Sequence, residues 1–102
     1  MPVSRELLSS VKNRLDITWD DQNTDHKIAG LIEDGIFYLD GKLGEAGDYT
    51  IAGYPRTLLM EYVRYARDNA LDVFENNYMT HILSMQNMRA VEAYVEKTES
   101  PE

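Results

Sequence analysis

The chain has no cysteine. That excludes a disulfide framework, a cysteine-held zinc site and a thiol nucleophile together. Positive charge is scarce as well: 10 Lys+Arg stand against 18 Asp+Glu, a net −8, and no two of the cationic residues are adjacent. A nucleic-acid binder needs clustered cations to displace the counterions of phosphates. Sequence-specific DNA or RNA recognition is therefore not expected. No apolar run approaches the ~20 residues that span a bilayer. Arg5, Glu6, Lys12 and Arg14 occupy the stretch where a signal peptide would be apolar. The expectation is a cytoplasmic chain with no membrane partner. Glycine and proline are missing from Arg56 to Ser100, so nothing there enforces a turn.

What is present is ordinary for a folded domain: 102 residues, 43% hydrophobic and 27% charged. This suits one all-α domain with one modest core, about two thirds of whose unfolded surface becomes buried. Ser4 is a candidate N-cap, with Leu7, Leu8, Val11 and Leu15 following at helical spacing. The polar run from Asp16 to Asp25 reads as a turn entering a second helix, expected over Thr24–Lys42. Ile28, Leu31, Ile32, Ile36, Leu39 and Leu43 trace its apolar stripe. Gly30 and Gly35 lie inside that helix at a cost of about 1 kcal/mol each, which suggests close approach of another helix at both. Gly41 and Gly44 read as its stop.

Residues 44–55 form one long loop, with room for a short extended piece over Asp48–Ala52. Pro55 suits the first turn of the next helix. Leu59, Tyr62, Val63, Ala66, Ala70, Val73 and Phe74 continue as one stripe; Tyr78, Ile82, Met85, Met88, Val91 and Val95 form another. A break or kink is expected between Glu75 and Tyr78, beside Asn76-Asn77. The fold class is a small bundle of about four helices with one long loop and a projecting C-terminal helix. Residues 1–95 make the domain, and 96–102 a flexible acidic tail.

Chemistry-bearing patterns are few. Asp21-x-Asn23-x-Asp25 begins like a calcium loop, but His26 stands where glycine is needed and Ile32 where the closing glutamate belongs. Helix capping explains these acids better. His26 and His81 are far apart and read as surface histidines. Glu33 and Asp34 are adjacent on a helix and point apart. There is no nucleophile elbow and no phosphate loop. No catalytic residue, metal or cofactor is expected, and no enzyme activity. Arg64 and Arg67 share a face, with local salt bridges to Glu61 and Asp68 as the simpler account and an acidic patch on a neighbouring subunit as the sharper one. The interface candidates are Trp19, Tyr78, Met79, Ile82, Met85 and Met88, because Trp, Tyr and Met are enriched where proteins meet. A last helix folded back onto the domain would bury the same side chains, and the sequence leaves both alternatives open.

The order of elements carries a resemblance. A short helix, the turn Leu15-Asp16-Ile17-Thr18-Trp19-Asp20-Asp21, a helix ending Gly41-Lys42-Leu43-Gly44, a loop and an aromatic-rich helical stretch from Leu58 to Tyr78 follow one another. This resembles the head–tail connector proteins of tailed bacteriophages and prophages, also called adaptor or head-completion proteins, over about Leu7 to Gln86. The resemblance implies a structural virion subunit at the head–tail interface, made and assembled in the host cytoplasm. It implies a homo-oligomeric ring, typically of twelve copies, below the portal protein, with the free subunit possible as a monomer. Such a ring extends the DNA channel and docks the next tail or stopper protein. Family members grip the portal with a C-terminal helix or tail, which here maps from Tyr78 onward. A different reading of the same acidic helices is a small regulatory module that binds a host or phage protein.

Overall fold

The structure is a computed structural model and describes residues 3–99. Four helices follow in order: α1 (Arg5–Arg14), α2 (Gln22–Leu43), α3 (Tyr54–Arg67) and α4 (Leu71–Glu99). There is no strand among the described residues. The chain is an elongated all-α bundle, 53 × 28 × 19 Å.

The caps fix where helices start and stop. Ser4 accepts a hydrogen bond from the Leu7 N–H at 3.1 Å and opens α1. Asp21 does the same for the Thr24 N–H at 3.0 Å, and takes the Thr24 hydroxyl at 2.8 Å. Both bonds favour the charged form and hold the Asp21 carboxyl below its ordinary range, the backbone bond most. Its helix therefore begins at Gln22, two residues before the expected Thr24. Gly41 lies within α2 rather than at its stop; Gly44, in the left-handed conformation at φ 81°, ends the helix alone.

Packing follows the stripes. Ile28, Ile32 and Leu39 from α2, Leu58, Leu59, Met60 and Val63 from α3, and Leu7 and Val11 from α1 are buried together. Phe74, Ile82 and Met85 of α4 complete this core. At Gly35 a Cβ would stand 2.7 Å from Leu59 Cδ1 and 2.8 Å from Tyr62 Cδ1, so α3 packs against bare α2 backbone. The same expectation fails at Gly30, where an added Cβ meets nothing within 4 Å. Gly30 lies five residues from Gly35, and 100° per residue carries it off the contact face.

Two further expectations need correction. Residues 56–74 are not one helix. α3 ends at Arg67, Asn69 turns left-handed at φ 56°, and α4 starts at Leu71. Asn supplies the αL position that glycine usually fills. Within α4, Tyr78 alone leaves helical geometry (φ −117°, ψ 16°), so a kink does fall at the end of the expected 75–78 interval. The extended piece at Asp48–Ala52 is instead a bend: Asp48 accepts the Thr50 N–H at 3.0 Å and the Thr50 hydroxyl at 2.5 Å. The backbone stays helical through Glu99, and residues 100–102 of the expected tail lie outside the described residues.

Candidate interaction surface

Phe74 is the hub of α4. Its ring lies 5.6 Å from that of Tyr62, 5.7 Å from Tyr65, 6.2 Å from Tyr38 and 5.3 Å from Tyr78, the first three edge-on and the last stacked. Such pairs add to area burial by about 0.5–1.5 kcal/mol each. The hydroxyls at the rim find carboxylates. Tyr38 donates to Glu75 at 2.5 Å, and Lys42 Nζ pairs with the same carboxylate at 3.0 Å. Burial and the Glu75 charge raise the Tyr38 hydroxyl well above its ordinary value, while those two donors hold Glu75 below its own.

Glu61 is the buried acid of the fold. Its Oε1 accepts from the Tyr78 hydroxyl at 2.9 Å; Arg14 stands 3.5 Å from Oε2 and Arg64 3.6 Å from Oε1. One carboxylate thus ties α1 and α3 to the kink of α4. Desolvation and this hydrogen bond push the Tyr78 hydroxyl up to about 12. Arg64 has its local partner, as the simpler account of Arg64 and Arg67 expects.

The six interface candidates separate. Ile82 and Met85 are 3% and 2% exposed, inside the core, and Tyr78 is half-buried at the kink. These three pack mainly against the bundle, with Met85 also lining the groove between the α2–α3 loop and α4. Met79, Met88 and Trp19 are exposed. Trp19 sits in the α1–α2 turn, next in sequence to Asp20, which together with Asp25 pairs with the buried Lys12 amine at 3.2 and 2.7 Å. Those bonds, Asp25 first, raise the Lys12 amine above its ordinary value against the cost of burial.

The exposed remainder of α4 is more extensive than the sequence reading named. Leu83, Val91 and Tyr94 are also at the surface, 51%, 61% and 69% exposed. Gln86 donates to the Lys42 carbonyl at 2.9 Å, and Arg89 pairs with Glu45 at 2.5 Å. α2 has ended by then, so α4 runs on past the bundle.

Between the α2–α3 loop and this part of α4 lies a groove of about 340 Å³. Ile51, Ala52, Tyr54 and Pro55 form one wall, Met85 and Met88 the other. The loop is held in shape from below: Tyr49, buried, donates to Asp40 at 2.6 Å, and the Gly47 N–H donates to the same oxygen at 2.9 Å. Ile51, facing no such partner, is 61% exposed. Sequence reasoning missed Ile51 because it took the segment as a possible strand.

Among the described residues no three His, Asp or Glu side chains are grouped to hold a metal ion, and no helix is long and apolar enough to cross a membrane. No family model, no curated protein and no solved structure matches the chain.

Proposed function

We propose that this protein is a structural assembly subunit of the head–tail connector type, working by docking onto other proteins. The observation that carries the reading is the far end of α4. Val91 and Tyr94 are apolar, exposed and set on a helix that has already left its own bundle. Apolar side chains left in water at this point would be covered by a partner surface. The order of elements from Leu7 to Gln86 supplies the class of partner: a portal ring on one side, a tail or stopper protein on the other. In this reading the acidic surface of a −8 chain suits a DNA conduit, since like charge keeps the duplex from adhering.

The test is electron microscopy of the chain mixed with the assembled portal ring encoded beside it. The expected result is an added ring of density, lost in the double variant V91D/Y94D, whose helical content is unchanged. Failure of the unmodified chain to associate with an intact portal ring overturns the proposal.

A further inference from the structure

We propose that the groove between the α2–α3 loop and α4 takes a segment of a partner protein that carries an apolar anchor flanked by lysine or arginine. This rests on the docking reading above and adds the chemistry of the segment. The apolar half of the argument is the lining. Met88 and Ile51 stand at opposite walls, 52% and 61% exposed, with Tyr54 and Pro55 beside Ile51 and the buried Met85 beside Met88. A leucine-sized side chain seated there removes both exposed groups from water, which is the kind of gain that drives association.

The charged half is the rim. Glu45, Asp48, Arg89 and Glu92 line the groove, and Arg89 is spent on Glu45. Asp48 and Glu92 pair with no cation among the described residues. The bend at Thr50, chiefly its hydroxyl, holds Asp48 below the ordinary carboxylate range, so this acid is charged at any neutral pH. Arg56 donates to the Thr50 carbonyl at 3.2 Å and does not line the groove. An apolar slot with three carboxylates and one arginine at its edge, two of the carboxylates in no ion pair among the described residues, discriminates against acidic segments and favours basic ones. The Arg14, Arg64 and Arg67 cluster at the other end of α3 has no such selectivity, because Asp16, Asp68 and Glu61 lie among its cations.

The experiment is fluorescence polarisation of the full chain with two labelled synthetic peptides. Both carry Leu-Ala-Ala-Leu; one is flanked by two lysines at each end, the other by two glutamates. The lysine peptide should bind, weakening as salt is raised, and the glutamate peptide should bind at least about tenfold more weakly. Met88→Asp and Ile51→Asp should each reduce lysine-peptide binding about tenfold, because the apolar seat is lost. Glu92→Gln, an exposed change, should reduce it about twofold to threefold. The aspartate variants make the chain more acidic, so unspecific attraction would tighten binding in them. Equal or tighter binding by Met88→Asp overturns the inference. So does absence of lysine-peptide binding at about 1 mM. No portal is involved, so the peptide result and the electron-microscopy result fail independently.

Discussion

The two halves of α4 differ in fate, though both are rich in apolar side chains. From Leu71 to Gln86 the helix buries Phe74, Ile82 and Met85 against α2 and α3. From Met88 onward Met88, Val91 and Tyr94 face outward. Nothing within α4 makes the difference. It lies in α2, which stops at Gly44 and leaves an open groove against the α2–α3 loop, in place of a packed helix, beside Met88 and Glu92. The lesson is that an apolar stripe says how much a helix can bury, while its neighbours' lengths say how much it does bury.

The sharpest test of this contrast compares aromatic truncations in the two halves. Phe74→Ala should cost about 3–5 kcal/mol in denaturant unfolding, given its near-complete burial among four rings. Tyr94→Ala should stay within about 0.5 kcal/mol, as surface changes do. A large loss at Tyr94 would mean that the distal half is gripped after all. The junction comes next. Tyr78→Phe removes the donor to a buried carboxylate and should cost about 1–3 kcal/mol, measured the same way.

Glycines extend the contrast to α2. Gly35→Ala forces a methyl group into Leu59 and Tyr62 and should destabilise by about 1–2 kcal/mol. Gly30→Ala meets open space and should stabilise by about 0.5–1 kcal/mol. Thermal melts of both variants decide whether the inner face alone is close-packed.

The smallest effect is with pH. Asp21, Asp48 and Glu75 have lowered values in the fold, so what they contribute is present above the ordinary carboxylate range and lost as pH falls through their folded values. Tyr38, Tyr49, Tyr62, Tyr78 and Lys12 are raised, so their contribution is present below about pH 10 and lost as pH rises further. The melting temperature should be flat from about pH 5 to about pH 9 and fall on both sides. Every one of these groups lies at or before Tyr78. The V91D/Y94D variant should therefore trace the same profile, and a different one would show the two halves coupled.

Much of this architecture was legible in residue order. Capping residues placed α1 and α2 to within two positions, because Ser4, Asp21 and Gly44 each satisfy a backbone group that only such side chains or conformations can serve. The α3–α4 break was not read, since Asp68-Asn69-Ala70 contains neither glycine nor proline and its apolar spacing continues across the turn. The signal available was Asn69, a residue tolerant of positive φ. The surface was half legible. Met79 and Met88 reached solvent and Ile82 and Met85 did not, because a stripe cannot show where its opposite helix ends. Ile51 was out of reach for a different reason: its exposure depends on how Tyr49 and Asp40 fold the loop.

The kink at Tyr78 acts as an angular setting with a long arm. Twenty-one residues follow it to Glu99, about 32 Å at helical rise. A change of about 10° at the pivot would sweep the tip through roughly 6 Å, more than one helical turn. The aim of that tip is set by the Tyr78–Glu61 bond, by the buried Ile82 and Met85, and by the contacts of Gln86 with Lys42 and of Arg89 with Glu45. A load applied at Tyr94 would therefore reach the Arg89–Glu45 and Gln86–Lys42 contacts first, and Glu61 only after these give way.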